Sequence, residues 1–499
     1  MYVLEARQMR NADAMTCNEY GLSGMVLMEN AARAVYDYII QEKYEKIVIV
    51  CGGGNNGGDG FALARQLLTH GQNTRVFCFA DISRIKGDAA LNLHILKKMD
   101  VEIEANIDNL GSALERCQVV VDAIFGTGFR GEVQGSYKQA IELINSCGRN
   151  VISVDMPSGI NTDNGKEANA FVKADCTITF CCKKPGQLLG AGREASGRVI
   201  VSSISMPEDC ILKQEPYITT NDQYYPSGLI KKRRNEAHKG DFGRVYIISG
   251  SYSMSGAAAL CAKAALRTGC GLVTCVLPES IMDRVGSIVP EATFLTFGNG
   301  DESGSLNEDK LNKICTTADS VALGPGMGTG MVTFEILNGM LEGYKGPMVI
   351  DADGINILSE HRELLNKLTP NTILTPHPGE MARLTGLTVK QVNADRMDIA
   401  KGFAERYGCI LLLKGASTVV TSGKKIYINT TGNPGMATGG SGDVLTGMIS
   451  SLCGQGYEPY EAAVLGCYLH GCAGDEAMVR YGYGITAGDI TDYINVIMP

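Results

Sequence analysis

No apolar run in the 499 residues approaches the roughly 20 that span a bilayer, and the opening MYVLEARQMRNADAM has charges where a secretory leader needs an apolar core. The expectation is a soluble, cytoplasmic protein with no membrane partner. C-x-x-C never occurs among the 17 cysteines, which are scattered and odd in number, and the 6 histidines are dispersed. Neither a disulfide framework nor a zinc cluster is indicated. An excess of basic charge is missing too: 45 Lys and Arg face 54 Asp and Glu, for a formal net charge of -9. The one basic run, KKRR at Lys231 to Arg234, reads as a solvated connector. Nucleic-acid affinity depends on clustered cations, so small-molecule ligands are expected instead. The P-loop G-x-x-x-x-G-K-[ST] is absent, as is the protein-kinase pairing of a Gly-rich loop with H-R-D.

What is present is alternation. One hydrophobic core stops growing at roughly 250 to 300 residues, so the length implies two domains. KIVIVC, TRVFCFA, VVVDAIF and NVISVD read as buried strands separated by amphipathic stretches, such as the one in which Met25, Met28, Ala32, Val35 and Ile39 recur at helical spacing. Such a pattern implies a parallel sheet with helices on both faces, an α/β, Rossmann-like three-layer sandwich over residues 1–220. Polar, proline-bearing text from Met206 to Gly243 breaks the pattern and places the boundary near residue 220. Alternation then restarts with RVYIISGS, the Ala-rich SGAAALCAKAALRTG, LVTCVLP, SVALGPG, PMVIDADG, NTILTPHPGE and CILLLKG, a second and larger α/β domain over 221–499.

In CGGGNNGGDG, Gly52, Gly54 and Gly57 satisfy the dinucleotide fingerprint G-x-G-x-x-G, and Asp81 stands where that fingerprint wants a ribose-binding acid. A ligand-free strand-to-helix turn explains the glycines equally well. Asn55, Asn56 and Asp59 are harder to explain as a plain turn. Three strand ends, running into NNGGDG, GTGFRGE and MPSGI, would converge on one crevice. Asn56, Asp122 and Ser158 each place a hard oxygen there, as a weakly charged cation needs, although an Asx-turn, a strand cap and a turn serine are the plainer interpretations. In the second half, Gly439, Gly440, Ser441 and Gly442 precede Asp443 and an apolar helical run. Free amides at a helix N-terminus bind anions, so a phosphoryl-transfer site is expected, with Asp443 positioned to take a proton from a hydroxyl. Lys414 ends a strand, placed to meet a nucleotide phosphate or simply to snorkel. Asp351 and Asp353 either bind Mg2+ through water or cap a strand end, and His377 between two prolines reads as a ligand contact or a rigid loop residue.

NNGGDG, the stretch from Asp122 to Glu132, and DMPSG from Asp155 resemble the NAD(P)H-hydrate epimerase family over the whole first domain. HKGDFG, SGAAALCAKAALRTGCG, LGPGMG, TPHPGE, KGAST and GNPGMATGGSGD resemble the ADP/ATP-dependent NAD(P)H-hydrate dehydratases, which have a ribokinase-like fold. Together they resemble the bifunctional repair enzymes. The first resemblance implies that Asn55, Asn56, Gly57, Gly58, Asp59, Gly126, Thr127, Gly128, Phe129, Arg130, Gly131, Glu132 and Asp155 hold the damaged dinucleotide (NADHX or NADPHX). It also implies potassium at Asn56, Asp122 and Ser158, with Asp155 the candidate acid/base. The second implies hydrate contacts at Gly256 or Ala257, Gly326, His377 and Asp443, and ADP or ATP contacts at Lys414, Gly415, Ala416, Ser417, Thr418 and Gly442, with Mg2+ accompanying the nucleotide. DADGIN departs from the commoner pattern by carrying Gly354. A homo-oligomer is expected. Two alternatives stand beside this: a vitamin or sugar kinase regulated by a dinucleotide, and a first domain kept only as an interaction module.

Overall fold

The computed structural model describes residues 1–297 and 306–498. It divides into two compact units, the first spanning Tyr2–Ile218 and the second beginning at Thr219.

The first unit is built on strands β1 (Lys46–Cys51), β2 (Asn73–Cys78), β3 (Ile103–Glu104), β4 (Val119–Ala123), β5 (Asn150–Val154), β6 (Cys176–Phe180) and β7 (Arg198–Ser202). They form a 7-stranded parallel sheet in the order β3-β2-β1-β4-β5-β6-β7. Successive side chains of a strand face opposite ways, and here both faces are covered. Ile47, Ile49, Val119 and Val121 join one apolar cluster with Leu27, Val35, Phe61 and Leu93, while Val48, Val50 and Val120 join another with Leu110, Ile141 and Ile144. This is the three-layer sandwich expected from the sequence. The strand order reverses between β1 and β4, and in such sheets the crevice at that reversal receives ligands.

The second unit carries β8 (Arg244–Ile248), β9 (Leu272–Pro278), β10 (Thr293–Phe297), β11 (Ser320–Leu323), β12 (Met348–Ile350), β13 (Thr372–Leu374), β14 (Ile410–Leu413), β15 (Val419–Thr421) and β16 (Ile426–Ile428), in the order β10-β9-β8-β11-β12-β13-β14-β15-β16. Pairing is parallel as far as β14 and antiparallel through β15 and β16. That terminal hairpin was not distinguished in the sequence, because three-residue strands are too short to show a period. The helix Ser255–Arg267 packs on Ser441–Gly454 backbone to backbone. A Cβ at Gly447 would lie 2.1 Å from the Cys261 carbonyl oxygen, so only glycine permits the approach. The polar stretch from Met206 to Gly243 contains a short helix (Glu208–Leu212), a strand (Ile218–Thr220) and two 3-10 turns.

Candidate active sites

In the first unit the loops leaving β1, β4 and β5 meet at a cleft of about 830 Å³. Its walls include Asn55, Asn56, Asp59, Gly126, Thr127, Gly128, Phe129, Arg130, Glu132 and Asp155, so all three strand-end motifs contribute. Gly57, Gly58 and Gly131 do not line it. A Cβ on Gly57 would sit 1.9 Å from the Gly52 carbonyl oxygen, and one on Gly58 would meet Met28 at 2.7 Å and Ala89 at 2.9 Å. These glycines therefore let the helix Asn55–Thr69 start against the strand and pack on its neighbours, which is why the fingerprint spacing arises. Asp81 is exposed and caps the 3-10 turn Ile82–Arg84 away from the cleft walls, which removes the residue that a nicotinamide-dehydrogenase interpretation needed.

Asp155 adopts φ +63°, a left-handed conformation that costs a non-glycine residue roughly 1–2 kcal/mol. Surrounding bonds hold it there: its N–H donates to the Ile178 carbonyl at 2.8 Å, and its carbonyl accepts from Gln187 Nε2 at 2.7 Å. Its Oδ1 accepts from Lys184 Nζ at 2.5 Å and Thr179 Oγ1 at 3.0 Å. Lys184 is fully buried, and its other two acceptors are Thr179 Oγ1 at 2.7 Å and the Phe180 carbonyl at 3.2 Å. An ammonium has three donors, so this one is satisfied in full. Sequence reasoning missed Lys184: nothing in CCKKPGQ tells the second lysine of a pair that it will face inward. It also missed Asp13, which lines the cleft from the helix Ala6–Tyr20. Burial, and then the charge of Asp155, push Asp13 up to about 6. Asp59 is raised well above the carboxylate range by burial, followed by Asp155 and Asp13.

Beneath the cleft Asp122 is fully buried and accepts four hydrogen bonds. Ser158 Oγ (2.5 Å) and Ile124 N–H (3.2 Å) reach Oδ1, while Ser153 Oγ (2.8 Å) and Ser158 N–H (2.9 Å) reach Oδ2. Burial raises its pKa, and those bonds oppose the rise. Ser158 Oγ also accepts from the Phe125 N–H at 2.8 Å, and Asn56 Oδ1 lies 3.0 Å from the place a Gly126 Cβ would take. Asn56 Nδ2 is buried without a partner. Oxygens from Asn56 and Ser158 reach the same loop, at Gly126 and Phe125, and among the described residues no ion pair engages the Asp122 carboxylate, a donor set that suits a monovalent cation. Among the described residues no group of three or more His, Cys, Asp or Glu is placed to hold a metal.

In the second unit the helix Ser441–Gly454 begins after Gly440, at φ +87°, and carries Asp443 in its first turn. Lys414 Nζ donates to Asp351 Oδ1 at 2.7 Å, and Thr446 Oγ1 donates to Asp351 Oδ2 at 2.8 Å. A Cβ on Gly442 would lie 3.2 Å from Lys414 Nζ, so ammonium and helix N-terminus face the same space. Burial, followed by the charge of Asp351, pushes Asp443 up to about 6. Asp353 accepts from the Gly328 N–H at 2.8 Å and from Asn356 Nδ2 at 3.2 Å. Gly326, at φ +67°, runs beside Ala257, whose Cβ would be 3.0 Å from one added there, while Gly256 faces open space. Gly354 answers its departure from the family pattern by packing: a Cβ would meet Ile350 Cγ2 at 2.7 Å.

His377 is engaged on both nitrogens. Nδ1 accepts from the Gly379 N–H at 3.0 Å, capping the helix Pro378–Thr385, and Nε2 lies 3.3 Å from Glu380 Oε1. Burial, then Lys414, lowers its pKa; burial raises Glu380 to about 7. The loop from Gly415 to Thr418 closes on itself, with the Gly415 N–H 3.3 Å from Thr418 Oγ1. Arg396, not anticipated, anchors its base through the Leu413 and Lys414 carbonyls at 3.0 and 2.7 Å.

The model of a family described as NAD(P)H-hydrate dehydratase matches residues 245–496, and that of the YjeF-related protein N-terminus matches residues 24–186. The bifunctional NAD(P)H-hydrate repair enzyme Nnr of Moorella thermoacetica is 38% identical over 513 aligned residues, which cover 100% of this chain and 97% of that protein. The chain belongs to the bifunctional NAD(P)H-hydrate repair enzymes. It is accordingly an epimerase and a dehydratase in one polypeptide, and the alternatives of a regulated vitamin or sugar kinase and of a silent interaction module fall. The Escherichia coli repair enzyme Nnr is 35% identical, covering 97% of this chain and 92% of its own. A ribokinase-like superfamily protein of Enterococcus faecalis superposes with TM-score 0.50 at 24% identity, covering 56% of this chain and 95% of its own, and shows the fold of the dehydratase half. A Streptococcus mutans protein described as hypothetic gives TM-score 0.50 at 29% identity, covering 56% of this chain and 98% of its own. No helix among the described residues is long and apolar enough to cross a membrane.

Proposed function

We propose that the first-unit cleft interconverts the R and S forms of NADH or NADPH hydrated at C6, and that the second-unit site dehydrates the S form with ADP or ATP, releasing phosphate. The observation that carries this division is Asp443, set in the first turn of a helix whose free amides and glycines form an anion site beside Lys414. Asp443 takes the proton of the C6 hydroxyl as that oxygen bonds to the terminal phosphorus of the nucleotide, and the shortened nucleotide leaves. Loss of the phosphate from C6 and a proton from C5 then restores the reduced ring. Amides aimed at the developing phosphoryl charge contribute about 2.7–4 kcal/mol each. Lys414, with the loop from Gly415 to Thr418, binds the nucleotide, and Ala257, Gly326 and His377 bind the hydrate once His377 exchanges its capping bond for a ligand.

In the first unit Asn55, Asn56, Asp59 and the loop from Gly126 to Glu132 bind the dinucleotide, and Asp155 moves the proton of the C6 hydroxyl. Potassium would be held by Asn56, Asp122 and Ser158, where it would supply positive charge beside the buried Asp122. Mg2+ would accompany the nucleotide through Asp351 and Asp353, neutralising phosphate charge. The test is a mixture of hydrate epimers given ADP or ATP while NADH absorbance is followed. Both epimers are expected to return in full. A failure to return with either nucleotide overturns the dehydratase assignment, and a halt after the S form is consumed overturns the epimerase assignment.

A further inference from the structure

Inverting C6 takes two coordinated proton transfers. The hydrated ring is a cyclic hemiaminal, in which C6 bears both the hydroxyl and the ring nitrogen N1. Expelling the oxygen would leave a cation that need only shed a C5 proton to become the intact cofactor, and phosphorylation in the second unit would be redundant. Opening the ring at N1 avoids this, because the oxygen stays on C6. Ring opening needs a base at the hydroxyl and an acid at N1.

In the first-unit cleft Asp155 is clamped by Lys184, whose Nζ donates to Oδ1 at 2.5 Å. Asp13 shares that cleft from a different element, the helix Ala6–Tyr20, and lies before the residues matched by the family model. It is half-buried, and among the described residues no hydrogen bond or ion pair engages its carboxylate. Arg10 and Cys17 accompany it on its own helix, while Asp59, Asp88, Asp155 and Lys184 face the cleft from other elements. Arg130, paired with Asp163 at 2.6 Å, and Glu132 lie on the loop beyond β4. Beside the cleft, Asn56 Nδ2 is buried and unpartnered, a donor left for a ligand.

We propose that Asp13 is the acid that partners Asp155 in epimerisation. Asp155 takes the hydroxyl proton as the C6–O bond becomes a carbonyl; the C6–N1 pair departs onto N1, which receives the proton of Asp13. Rotation about C5–C6 and the reverse transfers close the ring on its other face, so both carboxyls end as they began. Asp13, Asp59 and Asp155 share one cleft, and like charges so placed do not all ionise together, which leaves Asp13 its proton. Its rise to about 6, caused first by burial and then by Asp155, with Lys184 opposing, agrees with that role.

This inference rests on the epimerase assignment of the cleft. It is tested on the full-length chain by separating the two hydrate epimers chromatographically over time. Asp13→Asn is expected to slow interconversion by about 10²- to 10⁴-fold, the range for a general acid. The decline in wild-type rate as pH rises through about 6 should vanish in the variant, and Asp13→Glu should recover part of the rate. A first-unit urea transition like that of the wild type reports that the variant cleft is folded, and in ¹⁸O-labelled water the inverted product should keep its original oxygen. Interconversion by Asp13→Asn at the wild-type rate, or solvent oxygen in every inverted product, overturns the proposal. If Asp13→Asn fails to fold, the pH profile of Asp13→Glu decides, and an alkaline limb unmoved by the longer acid overturns it. A wild-type chain that interconverts nothing overturns the epimerase assignment instead.

Discussion

Both units put an acid at a strand end beside a lysine, but the lysine serves a different acid in each. In the first, Lys184 holds Asp155, the group proposed to move the C6 hydroxyl proton. In the second, Lys414 holds Asp351, and Asp443 stands apart at a helix N-terminus. The first site thus fixes where Asp155 points, in a left-handed backbone conformation that its neighbours impose. The second fixes a cation beside the helix N-terminus, and burial, followed by the charge of Asp351, pushes Asp443 up to about 6. A strained backbone recurs there too, at Ala352 with φ +47°, between Asp351 and Asp353. One site is organised around carbon inversion and the other around a transferring anion, and the placement of each ammonium follows from that.

The largest effects should come from separating the two sites. Asp443→Asn is expected to lower the return of NADH absorbance by about 10²- to 10⁴-fold while epimer interconversion continues, and Asp155→Ala should do the reverse. Equal loss of both activities in either variant would erase the distinction.

Next come the lysines. Removing one partner of a buried ion pair costs about 3–5 kcal/mol, so Lys184→Met should unfold the first unit at markedly lower urea. Lys414→Met should cost less, because its side chain keeps 20% exposure against 1% for Lys184. Urea melts of the two variants with the order inverted would break the comparison.

A smaller and sharper probe is pH. A base must be deprotonated, so dehydration should rise with pH through about 6, the value to which Asp443 is pushed, and this limb should be missing in Asp443→Asn. The sign for stability is opposite. A carboxyl whose folded pKa is raised binds a proton that the unfolded chain releases, so its stabilising contribution is present below the ordinary value of 3.8 and is lost as pH rises to about 6.

The smallest effects concern glycines. Gly57→Ala forces a Cβ into the Gly52 carbonyl at 1.9 Å and should cost about 1–3 kcal/mol of first-unit stability. Gly256→Ala meets nothing within 4 Å and should gain about 0.5–1 kcal/mol in its helix while raising KM for the hydrate. Thermal denaturation and steady-state kinetics on the two variants read both numbers.

The sequence disclosed the strands and the polar residues at their ends because both are local: β-branched runs stop where Asn, Asp and Gly begin. It disclosed Asp443 for the same reason, through the small residues before it. Lys184 was illegible, because its burial is decided by Asp155, Thr179 and the Phe180 carbonyl, none of them adjacent in the chain. Asp13 was illegible because RQMRNAD looks like the solvated face of a helix. The fingerprint glycines were legible but ambiguous, and only the contact between Gly52 and Gly57 shows that they answer to packing. His377 stands in the sequence as a ligand contact or a rigid loop residue, and what the sequence does not disclose is its capping of Pro378–Thr385.

The walls of the first cleft are drawn from residues between Met9 and Ile204, all ahead of the division at Ile218. A gene broken at that point would leave Asp13, Asp155 and Lys184 on one daughter chain and Asp351, Lys414 and Asp443 on the other. The two repair steps can therefore be separated by one cut in the chain without dividing the walls of the first cleft.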